Sequence, residues 1–225
     1  MDIARYLDDA ILKPNMTLEQ RKAEFQFGID NKVRTLCVQP CDIELAKSMC
    51  EGTDTVVITV LDFPQGQAPA EAKGMLAELY ASKGVAEIDM VLNYGYLKSG
   101  ATDKIEEEVR AVVEKAHAKN VPVKVIFETS ELSLEDIAAG TEACIAAGAD
   151  FVKTSTGFSA HGATVDAVQT MLDTAKGRIK VKPSGGIRSY EDAIKYVNMG
   201  AARLGVGTTG TANIMAGQKA ALENK

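Results

Sequence analysis

Short apolar runs alternate along the chain with longer stretches whose apolar residues recur every three or four positions. The runs Tyr6–Leu12, Thr35–Val38, Thr55–Leu61, Ala86–Leu92, Val123–Phe127, Phe151–Thr154, Ile179–Lys182 and Ala202–Val206 have the length and β-branched content of buried strands. Between them, Ala70–Lys83 carries Met75, Leu76, Leu79 and Tyr80 on one helical face. Asp103–Lys119 does the same with Ile105, Val109, Val112, Val113 and Ala116. Thr17-Leu18-Glu19-Gln20 is a capping box that opens a helix toward Asp30. Further helices are predicted over Asp42–Glu51, from Ser133 through Ala147, near Thr164–Ala175, from Ser189 to Met199 and from about Thr211. Eight strand–helix alternations without a long linker predict one (β/α)8 TIM-barrel domain over residues 1–225, at the compact end for that fold. The rival is an open doubly wound sheet, but no GxGxxG turn follows the first strand.

Charges interrupt several of these strands, and side chains two apart share a face. Glu87 pairs in this way with Asp89, Lys124 with Glu128, and Lys180 with Lys182, while Lys153 stands alone in the sixth strand. Lys153, Lys182 and Asp89 fall near strand C-terminal ends, where barrel active sites are built. For Lys180, Glu87 and Lys124, a paired structural role at the barrel's bottom is as good a reading as a functional one. A lysine that attacks a carbonyl must first lose its proton. From an ordinary pKa of about 10.4 this needs a drop of roughly three units, or ~4 kcal/mol. A second ammonium about 5 Å away supplies roughly two of those units, and burial supplies the rest.

Three turns rich in glycine and hydroxyls follow the last three strands: Thr154–Gly157, Ser184-Gly185-Gly186, and Gly207-Thr208-Thr209-Gly210. Their backbone N–H groups, with Arg188 just beyond the second turn, are expected to hold a phosphate. Two histidines, His117 and His161, are too few for a histidine-rich zinc centre, so neither metal nor cofactor is expected.

Composition narrows the partners. Hydrophobic residues make up 46% of the 225, enough for a sizeable core. The net charge is −6 and there is no basic run, which argues against nucleic acid. The longest strongly apolar run, Val56–Leu61, is too short to span a bilayer, and the N-terminus has no apolar leader. Four cysteines without a CxxC pair are expected as reduced thiols in a cytoplasmic protein.

The segments LCVQP (36–40), EIDMVLNYGYLKSG (87–100), VKVIFET (123–129), ADFVKTSTGFSAHGAT (149–164) and KVKPSGGIR (180–188) together resemble the deoxyribose-phosphate aldolase family of class I, Schiff-base aldolases. That resemblance implies reversible cleavage of 2-deoxyribose 5-phosphate into glyceraldehyde 3-phosphate and acetaldehyde. It implies Lys153 as the Schiff-base lysine, Lys182 as the lysine that lowers its pKa, and Asp89 as the acid/base partner. Asp8 resembles the family's first-strand, substrate-positioning aspartate, and Cys37 its pocket cysteine. Thr154, Gly157, Ser184, Gly185, Gly186, Arg188, Gly207, Thr208 and Thr209 are the expected substrate contacts. Asp9-Ala10 stands where many relatives have His-Thr, Gln39 where Asn is common, and the last turn is rearranged. A related aldolase with another aldehyde substrate, and a non-catalytic sugar-phosphate-binding barrel, remain alternatives. The expected assembly is a homo-oligomer, taken as a dimer.

Overall fold

The computed structural model describes residues 1–223. Eight strands form one parallel sheet: β1 (Leu7–Ile11), β2 (Thr35–Val38), β3 (Val56–Leu61), β4 (Ile88–Val91), β5 (Val123–Ile126), β6 (Phe151–Lys153), β7 (Lys180–Lys182) and β8 (Leu204–Gly207). Regular ladders run in the order β7-β6-β5-β4-β3-β2-β1-β8. Closure between β7 and β8 is irregular. Ala202 N–H donates to the Val181 carbonyl (3.0 Å), Gly205 N–H to Pro183 (2.8 Å) and Gly185 N–H to Gly205 (3.3 Å). Pro183 has no N–H to continue a ladder, so the chain closes the TIM barrel through single bonds around it.

The helices are α1 (Leu18–Asp30), α2 (Ile43–Cys50), α3 (Ala70–Ser82), α4 (Tyr94–Lys98), α5 (Thr102–His117), α6 (Leu134–Ala146), α7 (Val165–Ala175), α8 (Tyr190–Met199) and α9 (Thr208–Glu223). The predicted caps form: Thr17 and Ser133 make full capping boxes, and Ser189 accepts from Asp192 N–H. Two elements differ from expectation. α4 is a single short helix capped by Asn93, inside a segment too brief to show periodicity. α9 begins at Thr208, not Thr211, because it leaves β8 with no intervening loop; Thr208 is tied to Glu24 (2.8 Å) and Thr211 to Asp9 (2.7 Å).

Alternation along the strands divides the buried residues in two. Outward residues such as Ile88, Met90, Val123, Val125, Val152 and Val181 join the helices in a continuous apolar sleeve. The interior holds a small apolar sector, Leu12, Cys37, Ile58 and Val60 on β1–β3 and just beyond, and a charged sector on β4–β7.

Asp9 interrupts the apolar sleeve. It points outward from β1, is fully buried, and accepts from Thr211 through Oδ1, while Oδ2 has no hydrogen-bond partner. Gly28 on α1 makes the room: a Cβ there would lie 3.1 Å from Oδ2. Burial raises the Asp9 carboxyl to about 7, opposed by the Thr211 hydrogen bond and reinforced by nearby Glu24. Its folded pKa thus exceeds the ordinary value of 3.8, so the native state holds this proton more tightly than the unfolded chain. Stability from this group is complete below about 4 and is lost as pH rises to about 7, on the order of 4 kcal/mol in all. The melting temperature should therefore fall between pH 5 and pH 8 relative to Asp9→Asn. Parallel profiles for the two proteins would contradict an ionisable, unpaired Asp9.

Candidate active site

The inward positions of five strands, β1 and β4 to β7, converge on one ion cluster. Adjacent strands place Asp89 opposite Lys124, and Lys153 opposite Lys182, in register. Asp89 sits at the centre. Its Oδ1 accepts from Lys124 Nζ (2.8 Å), and its Oδ2 accepts from both Lys153 Nζ and Lys182 Nζ at 2.8 Å. Two 2.8 Å legs to one oxygen leave the two ammonium nitrogens at most 5.6 Å apart. Lys182 also reaches Asp8 Oδ2 at 2.5 Å, and Asp8 is held from its other side by Thr35 Oγ1 (2.9 Å). Lys124 continues the cluster downward to Glu87, which faces Arg203 at 3.5 Å.

These contacts separate the two lysines. Lys182 has two carboxylate partners. Burial alone would lower its pKa, but Asp8 and Asp89 outweigh it and hold the ammonium above the ordinary lysine range. Lys153 has Asp89 alone. Burial and the neighbouring Lys182 charge together outweigh Asp89 and lower its pKa. Burial also favours protonation of Asp89 and Asp8, yet the surrounding ammoniums win and both stay below the ordinary carboxylate value, Asp89 far below. Around this centre the charges are Asp8, Glu87 and Asp89 against Lys124, Lys153, Lys182 and Arg203, one cation in excess. Loss of the Lys153 proton balances them.

The floor of the barrel is closed by Phe151, two residues before Lys153 on the same face. Lys124, Lys180 and Arg203 lie over its ring at 5.5, 5.1 and 5.7 Å. Lys180 is exposed at this lower end, so it takes the structural role that the sequence left open, whereas Lys124 and Glu87 belong to the buried cluster. Glu128 does not share a face with Lys124. It lies beyond β5 in a left-handed conformation (φ 56°) and turns its carboxylate to the Thr156 N–H and hydroxyl, fixing the loop after β6.

Above the cluster opens a cavity of about 440 Å³ at the C-terminal ends of β6, β7 and β8, continuous with a second of about 240 Å³. Gly157, Ser184, Gly185, Gly186, Arg188 and Gly207 line the larger one; Thr208 and Thr209 line the smaller. Gly185 and Gly186 have φ of 80° and 76°, a conformation that turns the chain sharply beneath the mouth. Gly205 joins cavity and cluster: a Cβ there would meet Ser184 Oγ at 2.3 Å and Lys182 Cε at 3.3 Å. Lys153 is 3% exposed, and Asp8, Cys37, Asp89 and Lys182 lie deeper still. The Cys37 thiol is pushed up to about 11, first by burial and then by the Asp89 charge.

Thr154 corrects the sequence reading. Its hydroxyl donates to the Ser184 carbonyl (3.1 Å) and accepts from the Ser184 N–H (2.9 Å), so it ties two loops together and does not face the cavity. Residues missed from sequence are Lys13, which lines both cavities, Phe158 at the mouth, and Glu24 beside the smaller cavity. Lys13 follows the first strand by two residues, at the catalytic end of a barrel, and that position was a usable signal. Arg188 and Lys13 are both exposed, and the Arg188 guanidinium has no ion pair among the described residues. With the N-terminus of α9 beside them, they make this end of the cavity attractive to an anion.

Comparison with known proteins agrees with this geometry. The family model described as "DeoC/LacD family aldolase" matches residues 41–214. The deoxyribose-phosphate aldolase of Clostridium kluyveri is 41% identical over 208 residues, covering 92% of this chain and 95% of that protein. That of Bacillus mycoides is 39% identical over 224 residues, covering 100% of both. Among solved structures, "QR15, an Aldolase" superposes with a TM-score of 0.91 at 35% identity, covering 100% of both chains. The structure described as a unique tetrameric deoxyribose phosphate aldolase from Aeropyrum pernix gives 0.87 at 29% identity, covering 97% of this chain and 92% of that one. The chain belongs to the DeoC/LacD family of aldolases.

Proposed function

We propose that this chain is a class I deoxyribose-phosphate aldolase that reversibly cleaves 2-deoxyribose 5-phosphate into glyceraldehyde 3-phosphate and acetaldehyde through a Schiff base on Lys153. The observation that carries the assignment is the asymmetry of the lysine pair: Lys182 is held by two carboxylates and Lys153 by one, with burial and the Lys182 charge lowering its pKa.

Neutral Lys153 Nζ attacks the C1 aldehyde carbon, and proton transfer gives a carbinolamine. Protonation of its hydroxyl expels water and leaves an iminium. Removal of the C3 hydroxyl proton then breaks the C2–C3 bond, whose electron pair flows into the iminium to form an enamine. Glyceraldehyde 3-phosphate departs, C2 takes a proton, and water hydrolyses the resulting acetaldehyde iminium to regenerate the amine. Asp89 is the group that accepts and returns these protons. It touches Lys153 directly and stays ionised between transfers because the Lys124 and Lys182 ammoniums bond it on either side. Asp8 orients Lys182 and the substrate side of β1, and Cys37 lines the apolar flank. The phosphate takes the mouth end, against Gly185, Gly186, the start of α9 and the cations Arg188 and Lys13.

Self-association, expected as a dimer, is in keeping with the tetrameric relative from Aeropyrum pernix. Residence in the cytoplasm fits four cysteines that are all free. Among the described residues no helix is long and apolar enough to cross a membrane.

Acetaldehyde followed by borohydride should leave its adduct on Lys153, mapped by mass spectrometry, and Lys153→Ala should abolish trapping. Removing the neighbouring charge in Lys182→Leu should raise the Lys153 pKa and move residual activity to higher pH. An adduct on Lys182, or full activity with no adduct, would contradict the assignment. For the phosphate end, Arg188→Ala and Lys13→Ala should each raise KM for deoxyribose 5-phosphate by about tenfold, the size of one charge-assisted contact, and leave cleavage of unphosphorylated deoxyribose unchanged. Equal effects on both sugars would place the phosphate elsewhere.

A further inference from the structure

A second buried ion cluster lies outside the barrel, between α3 and α5, and takes no part in the chemistry above. Lys73 on α3 is fully buried. Its Nζ donates to the Gly66 carbonyl (3.0 Å), the Val91 carbonyl (3.0 Å) and Glu108 Oε2 (2.6 Å), and stands 3.5 Å from Asp62 Oδ2. All three ammonium protons are used. The carboxylates continue the set: Glu108 Oε1 accepts from the Asn93 N–H (2.7 Å), and Asp62 Oδ2 from the Ala68 N–H (2.8 Å).

If the cluster served only to join two helices, apolar side chains would serve as well, since buried ion pairs seldom stabilise more than an apolar replacement. Its partners point to a different task. Two of the Lys73 contacts are carbonyls at the catalytic end of the barrel: Gly66 in the loop after β3, and Val91 in β4, two residues beyond Asp89. The β3 loop is held in an unusual shape. Asp62 has φ 52°, Gly66 N–H donates back to the Asp62 carbonyl (2.8 Å), and a Cβ on Gly66 would lie 2.3 Å from the Leu92 carbonyl. That shape sends Phe63 inward. It packs on the interior apolar sector of Leu12, Cys37, Ile58 and Val60, and meets Phe158 edge-on with ring centroids 5.3 Å apart. Phe158 lines the mouth of the cavity and lies in the loop that follows Lys153.

We propose that Lys73 is a positioning residue for the aldol reaction: by gripping the loop after β3 it seats Phe63 against Phe158 as an apolar wall that confines the substrate's small, unphosphorylated end beside Lys153. The inference rests on the proposed function, and it adds a specificity element built from outside the barrel. The wall suits a short aliphatic aldehyde end, which offers no hydrogen bond to lose there, and it keeps water off the amine until an iminium has formed.

A double-mutant cycle on deoxyribose 5-phosphate cleavage tests it. Phe63→Ala should raise KM by about tenfold with a smaller change in kcat, as expected for losing apolar contact with a substrate. Lys73→Met should show the same split, and the double variant should be no worse than the poorer single. Asp62→Asn, which weakens the Ala68 tie and the Lys73 contact within the loop but leaves the Lys73–Glu108 bridge between the helices in place, gives a second cycle with Phe63→Ala should Lys73→Met fold poorly; it should behave in the same non-additive way. Losses that multiply in the cycle, or Asp62→Asn with an unchanged KM, overturn the inference while leaving the aldolase reading intact. An inactive wild type would instead fail the aldolase reading itself.

Discussion

Everything in this barrel is arranged around a charge imbalance that a low-dielectric interior cannot tolerate freely. Three carboxylates and four cations share one cluster, and Asp89 bonds three of the cations. The least costly way to balance such a set is to release one proton from the cation with the fewest partners and the nearest access to water. That cation is Lys153, which has one carboxylate partner and is the cluster lysine with slight solvent exposure. The nucleophile is thus selected by subtraction: each neighbour is held charged more firmly than it is. Proximity of a second ammonium matters, as simple Coulomb reasoning suggests, but only because Asp8 prevents Lys182 from relieving the repulsion by giving up its own proton.

The fold serves this cluster through features that an apolar barrel would not need. Alternation puts the charges of β4 to β7 inside and leaves an apolar sleeve outside. The missing ladder at Pro183 breaks the wall between β7 and β8, where the cavity opens and Gly205 leaves space beside Lys182. Loops above the site are held by buried polar ties beside the Phe63–Phe158 ring contact: Thr154 to Ser184, Glu128 to Thr156, and Lys73 to the loop after β3 and the end of β4. Each tie costs desolvation, and each fixes a segment that faces substrate.

Much of this could be read from the sequence because it is written in period and position. Strand alternation predicted that Lys153, Lys182 and Asp89 share an interior, and β-branched runs separated by capped helices predicted the barrel. What stayed hidden depends on three-dimensional closure. Lys124 looked as much structural as functional, since only the register with β4 brings it to Asp89. Thr154 belongs to a hydroxyl-rich run that leads into the cavity, yet its own hydroxyl is spent on the neighbouring loop. Lys73 lies in a helix whose pattern shows an ordinary polar position, and no local signal tells that two strand ends converge on it. Asp9 lies in a strand whose pattern does not show that α1 and α9 close over it, with Gly28 leaving the room and Thr211 donating to its carboxylate.

The most direct test of the account is to titrate the two site lysines individually, using isotopically labelled lysine side chains observed by nuclear magnetic resonance and assigned with the Lys153→Ala and Lys182→Leu variants. Lys153 should lose its proton below the ordinary lysine value of 10.5, while Lys182 keeps its own to the highest pH at which the protein stays folded. A Lys153 that titrates at or above 10.5, or a Lys182 that deprotonates first, would contradict the charge balance on which the nucleophile's assignment depends.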